Sequence, residues 1–113
     1  MYEWRDELIS LFEDISDSVS LSRIFWKIFR NSEMSISQII RQTGLNHKVV
    51  KKSLEKMINK GLVGEKSFGR MKIYFLNRDN PRIKILLTLL SMPSISLFSE
   101  NNRIKQFPQT RIT

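Results

Sequence analysis

Gly44 and Gly61 bracket the stretch that most constrains this chain, "TGLNHKVVKKSLEKMINKGLV" from Thr43 to Val63. Glycine ends helices well, because without a Cβ it enters the left-handed conformation that a helix end needs. Between the two glycines Val50, Leu54, Met57 and Ile58 recur at spacings of three and four. That spacing predicts a helix capped by Asn46 and running to about Lys60. Ahead of Gly44, "QIIRQT" predicts a brief helix with Ser37 as its N-cap. Leu45 plugs the short turn between them. Two helices joined through a glycine-bearing turn form a helix-turn-helix pattern.

The second of these helices has two faces. Asn46, His47, Lys48, Lys51 and Lys52 fall opposite the apolar stripe and close to the N-terminus. A helix N-terminus carries partial positive charge and free N–H groups that donate to a phosphate. Lysine can donate to guanine O6 and N7, and Asn46 or His47 to base edges or phosphate. The plainer reading is a solvated face, with Lys51 and Lys52 paired to Glu55 four and three residues on.

Charge elsewhere bears on that choice. The formal net charge is +8, which favours polyanionic partners. The first seventeen residues hold six acids (Glu3, Asp6, Glu7, Glu13, Asp14, Asp17) against Arg5, so the remaining 96 residues carry +13. From Arg41 to Lys72 nine bases stand against Glu55 and Glu65. The middle is a basic patch, and the acidic start is expected on a different surface.

The flanking segments read as further elements. Trp4, Leu8, Leu11, Phe12 and Ile15 predict an amphipathic helix over 2–15, and Leu21, Ile24, Phe25 and Ile28 another over 21–31. A short extended piece is expected around Met34 to Ile36, both side chains pointing the same way. "LVGEKSFGRMKIYFLN" predicts a hairpin with a three-residue loop, Ser67-Phe68-Gly69, and Lys66, Arg70 and Lys72 around its tip. Phe68 could be a wedge, but packing over the strand is the favoured reading. Asn80 and Pro81 open a last helix lined by Ile83, Leu86, Leu87 and Leu90 and widened by Ile85 and Leu89. The polar remainder is expected to be poorly ordered.

At 113 residues one small domain is expected. The fold class is α+β, mainly α with a small β-hairpin. The expected division is an N-terminal helix over 1–17, a central body over 18–78, a C-terminal helix over 79–92 and a tail over 93–113. With no cysteine and a single histidine, disulfides and Cys/His zinc sites are excluded, and neither metal nor cofactor is expected. No secretory signal pattern opens the chain, and "ILLTLLSM" is too short to span a bilayer. A cytoplasmic location and no membrane contact are therefore expected, with nucleoid association if the basic helix binds DNA.

From about Leu21 to Leu76 the chain resembles a winged helix-turn-helix DNA-binding domain of the MarR and ArsR type, small bacterial and archaeal transcription regulators. "LSRIFWKIF" resembles their opening helix, "MSISQIIRQTGLNHKVVKKSLEKMINKGLV" their strand, helix, turn and recognition helix, and "GRMKIYFLN" the returning strand of their wing. The resemblance implies double-stranded DNA as partner and a homodimer built from helices at both chain ends. Trp4, Leu8, Leu11, Phe12, Ile15, Ile83, Leu86, Leu87 and Leu90 would form the dimer interface. The DNA-facing positions implied are Asn46, His47, Lys48, Val49, Lys51 and Lys52, with Arg70 in the wing. Ser37, Lys66 and Lys72 join them as expected contacts. Ile40 stands where these regulators often have a small residue, Val49 where a hydroxyl is common, and the wing is short.

Three classes of function follow. The first is a dimeric DNA-binding regulator. The second is a winged-helix adaptor for transcription or replication machinery, its terminal helices binding another protein. The third, an enzyme, lacks a nucleophile–base pair, since there is no Cys and the single His sits at an exposed helix start. Trp4, Trp26 and Phe29 could line an effector pocket between dimer helices, against the plainer reading of an aromatic core.

Overall fold

Four of the five described helices begin where a side chain satisfies a free N–H group of the first turn. The computed structural model describes residues 3–91; the tail expected over 93–113 lies outside them. Helix α1 spans Trp4–Ile15 and has no side-chain cap. Ser18 Oγ accepts from the Leu21 N–H at 3.0 Å and starts α2, Val19–Asn31. Strand β1 covers Glu33–Ser35 and leads directly into α3, Ile36–Thr43. Helix α4, His47–Asn59, starts under Asn46, whose Oδ1 accepts from the Val49 N–H at 2.9 Å. Strands β2 (Val63–Phe68) and β3 (Met71–Leu76) follow. Asn80 Oδ1 accepts from the Arg82 N–H at 2.8 Å and opens α5, Pro81–Leu90.

Ser35, and not Ser37, caps α3. Its hydroxyl accepts from the Gln38 N–H while Gln38 Oε1 accepts from the Ser35 N–H at 2.9 Å. This reciprocal box needs a glutamine three residues after the cap, which Ser35 has and Ser37 lacks. The helix therefore starts earlier than expected and takes Ile36 out of the strand. Met34 alone of the expected pair turns into the core.

Helix α4 ends in a Schellman arrangement. The Leu62 N–H donates to the Met57 carbonyl and the Gly61 N–H to that of Ile58, both at 3.0 Å. Gly61 holds φ +76, the conformation such an end requires.

The three strands form an antiparallel sheet in the order β1-β3-β2. Met34 pairs with Tyr74, and Val63 with Leu76; all four side chains are buried. The hairpin joining β2 to β3 is tighter than expected. Phe68 pairs with Met71, so only Gly69 and Arg70 lie in the turn. Gly69 has φ +61 and Arg70 no positive φ, the pattern of a turn with glycine at its first central position. Gly64 pairs with Phe75, whose ring lies where a Cβ would stand, 2.6 Å from Cε1.

Two units divide the chain, Met1–Ile83 and Lys84–Thr113, with the boundary inside α5. In the first, α2 packs on α4, α3 and the sheet, and α1 packs on α2. Leu11, Ile24, Phe25, Ile28, Ile39, Val50, Leu54 and Met57 are fully buried there. Each such side chain contributes about 1.5–3 kcal/mol. In the second unit Leu86 is buried and Leu90 exposed.

Candidate nucleic-acid interface

Thr43 ties the end of α3 to the turn that precedes α4. It is buried, its Oγ1 donates to the Ile39 carbonyl at 2.7 Å, and it accepts from the Leu45 N–H at 3.3 Å. Arg23, on α2, donates through Nη2 to the Thr43 carbonyl at 2.7 Å. Gly44 follows with φ +74, its N–H bonded to the Ile40 carbonyl at 2.9 Å. Two carbonyls that α3 would leave unmet are thus satisfied, that of Thr43 by a distant guanidinium and that of Ile40 by the turn itself. Sequence reasoning found Gly44 and Leu45 but passed over Thr43 and Arg23. A threonine in a last helical turn that can bond four residues back was the available clue for the first. Nothing local announces the second.

With that turn held, α4 buries Val50, Ser53, Leu54 and Met57 and half-buries Ile58. Asn46, His47, Lys48, Lys51 and Lys52 are exposed and Val49 half-buried. The Asn46 carbonyl oxygen is committed to capping, which leaves its amide N–H groups for a ligand. Ser37 is exposed within the first turn of α3.

Helix α4 is electrically divided along its length. Among the described residues, none of Lys48, Lys51 and Lys52 pairs with an acid, Glu55 included. The lysines nearer its C-terminus do pair. Lys56 Nζ lies 3.0 Å from Asp17 Oδ2, and Lys60 Nζ 3.2 Å from Asp14 Oδ1. Arg82 adds a 2.8 Å contact to the other Asp14 oxygen and donates to Ser10 Oγ at 2.9 Å. Burial pushes the Asp14 carboxyl up, but hydrogen bonds from Arg82 and Lys60 and their charges outweigh it and hold it below the ordinary carboxylate value. The hydrogen bond and charge of Lys56 lower Asp17. The acidic start is therefore not wholly the separate surface that the sequence predicts. Its last two acids neutralise the base of α4, leaving the uncompensated charge at the tip.

The hairpin sorts its cations in the same way. Lys66 pairs with Glu33 of β1 at 2.9 Å, and Lys72 with Glu65 of β2 at 3.1 Å. The Glu65 contact raises the Lys72 ammonium above its ordinary value. Arg70, in the turn, has no acid partner among the described residues. Lys66 Nζ also stands 5.5 Å from the ring centres of both Phe68 and Phe75. The Phe68 ring is exposed, contrary to the expectation that it packs over the strand. The turn is too short to fold the ring back, and alternation puts it on the sheet face away from Val63.

Of the residues implied for a dimer interface, Leu8, Leu11, Ile15, Ile83 and Leu86 are buried within the chain itself. Buried side chains offer no surface to a partner, so the interface expected at these five positions is not available there. Trp4, Phe12 and Leu90 are exposed and Leu87 half-buried, and Ile9, passed over in the sequence, is exposed as well. Trp4 shares the direction of Leu8 and Leu11 on the helix but sits in the first turn. Trp26 packs edge-on against Phe25 and Phe29, ring centres 5.0 and 5.3 Å apart, as members of an aromatic cluster. Among the described residues no group of three or more His, Asp or Glu could hold a metal ion. No described helix is long and apolar enough to cross a membrane.

Neither a protein-family model nor a curated relative matches the sequence. Solved structures do match in shape. HlyU from Vibrio cholerae superposes with a TM-score of 0.57 at 17% identity, over 80% of this chain and 98% of that one. PagR, a transcriptional repressor of Bacillus anthracis, gives 0.56 at 21% identity, over 76% and 94%. The AntR antimony-specific transcriptional repressor gives 0.57 at 14% identity, over 86% and 84%. The chain has the winged helix-turn-helix fold. In that frame α3 and α4 are the helix-turn-helix, β2 and β3 the wing, and β1 the strand that closes the wing's sheet. At these identities the likeness carries the fold only, so the chemistry rests on this chain's own cations.

Proposed function

We propose that this winged helix is a sequence-specific double-stranded DNA-binding transcription regulator that acts as a homodimer. The observation that carries the reading is the division of α4: Lys56 and Lys60 are neutralised by Asp17 and Asp14, while Lys48, Lys51 and Lys52 stand exposed without acid partners among the described residues. A face that served only solubility would gain from pairing Lys51 or Lys52 with Glu55. Here the unpaired cations surround a helix N-terminus, where phosphate and base edges are accepted.

In this reading α4 enters the major groove, with Lys48, Lys51 and Lys52 reaching bases and phosphates and His47 and the Asn46 amide at the tip. Val49 meets thymine methyls. Arg70 of the wing anchors on the backbone or in the minor groove, and Ser37 adds a phosphate contact from α3. The exposed Trp4, Ile9 and Phe12 of α1 supply apolar surface for a two-fold contact. Half-sites about one helical turn apart follow from that symmetry. Transcription regulators and repressors among the proteins of similar shape support the reading.

Selection of bound fragments from random duplex DNA, followed by a salt titration of the selected site, tests it. A pseudo-palindromic site with steeply salt-dependent affinity is expected. Light scattering of the free protein belongs with the same test. A monomer that shifts no duplex at low salt would sink the DNA reading and favour the adaptor, in which the same apolar residues bind a different protein.

A further inference from the structure

The tip of the wing is built like a wedge. Phe68 and Met71 face each other across the hairpin end, on the sheet face shared with Lys66, Ile73 and Phe75. They are 62% and 54% exposed, and only Gly69 and Arg70 lie between them. Large apolar side chains at a loop end normally fold back or are replaced by polar ones, since exposing them forgoes their burial. Here the two-residue turn and the sheet register hold both outward. The surrounding charge specifies what could cover them. Arg70 occupies the turn, and the Lys66 ammonium, paired with Glu33, sits 5.5 Å from the Phe68 ring, so the apolar pair is flanked by two cations. A hydrophobic protein groove would have to desolvate those cations, whereas a polyanion satisfies them while burying the pair between its bases.

We infer that Phe68, with Met71 beside it, inserts between stacked base pairs from the minor groove and kinks the duplex. The inference rests on the DNA-binding reading and goes beyond it, because it makes the wing a deforming element as well as an anchor. Insertion of Phe or Met between base steps partly unstacks them and bends the duplex by about 20–90°. Pyrimidine–purine steps, TA above all, unstack most easily. The wing thus contributes preference for a flexible step without reading a base edge. Arg70 meets the minor-groove wall or its phosphates as the ring enters. The ammonium of Lys66, held by the pair with Glu33, is a cation that the arriving backbone can draw away.

The test uses the full chain and a dye-labelled duplex of about 30 base pairs with central TA steps. Anisotropy reports binding, and energy transfer between the two ends reports bending. Wild-type protein is expected to bring the duplex ends closer at saturation. The Phe68→Ala/Met71→Ala double variant is expected to bind at higher protein concentration and leave the duplex straight. Phe68→Leu, which keeps an insertable side chain, should retain most of the bend. Both positions are exposed, and matching circular dichroism melts should show that folding is unaffected. Wild-type binding without bending, or a double variant that bends the duplex as wild type does, overturns the wedge and leaves DNA binding standing. Absence of wild-type binding at low salt overturns the DNA reading and the wedge with it.

Discussion

Lys56 reaches from α4 to Asp17 just beyond α1, its Nζ 3.0 Å from Oδ2. With the Lys60–Asp14 contact beside it, this pair decides which lysines of a single helix keep their charge for a partner. Along α4 the contrast can be measured residue by residue.

Lys51→Ala should weaken binding to a selected site and reduce the slope of log affinity against log salt by about 0.9 if its contact is to phosphate. A base contact instead would cost about 1–3 kcal/mol of discrimination at one position. Lys56→Ala should leave both quantities near wild type, because its charge is already answered. Salt titrations of the two variants side by side check this, and equal losses in both would refute the division of the helix.

In the wing, Arg70→Ala should weaken all duplex sequences alike and lower the salt slope, as loss of a backbone contact does. Lys66→Ala should cost less, since Lys66 begins paired with Glu33 and an exposed pair has to be broken before phosphate is engaged. Competition binding with unrelated duplexes distinguishes the two. A sequence-selective loss in Arg70→Ala would show that the turn reads bases.

Gly64→Ala should destabilise the protein by about 1–3 kcal/mol through overpacking, since the Phe75 ring fills the space of the new methyl. Gly64 has no positive φ, so the cost arises from the ring and not the backbone. Phe75→Leu in the same chain should recover most of the loss in a denaturant melt. If it recovers nothing, the ring is not the cause.

Acid should remove the Asp14 contribution. Its folded-state pKa is depressed by Arg82 and Lys60 against the opposing effect of burial. The stabilisation is therefore complete above the unfolded value of about 3.9 and lost as pH falls through the lower folded value. Asp14→Asn should lower stability at neutral pH and flatten its decline below about pH 4. Arg82→Ala should cost about 1–3 kcal/mol at neutral pH, since it removes hydrogen bonds to a charged group. Melts across that range check both variants.

Phe12→Lys should convert the proposed dimer to monomer without lowering the melting temperature of the monomeric unit, because Phe12 is exposed. Leu11→Ala, one residue away and fully buried, should cost about 2–5 kcal/mol of folding stability. Light scattering and melts of the two variants separate interface from core. Persistence of the dimer in Phe12→Lys would move the interface elsewhere.

Local chemistry was legible in the amino-acid sequence wherever one residue meets neighbours a turn away. Asn46 and Asn80 cap, Gly44 and Gly61 take positive φ, and the α4 stripe of Val50, Leu54 and Met57 turns inward, because caps, left-handed turns and helical periodicity act over three or four residues. The hairpin and the cationic tip of α4 were visible for the same reason. What only the tertiary structure decided involves partners far along the chain. Arg23 holding the Thr43 carbonyl, Asp14 and Asp17 quenching the base of α4, and β1 adding to the wing's sheet depend on which surfaces meet. So does the fate of α1, whose stripe reads equally well as a core face or a dimer face until packing buries Leu11 and Ile15 and leaves Phe12 exposed. Periodicity gives a helix a direction in which to bury itself; the packing of the other elements determines what lies in that direction.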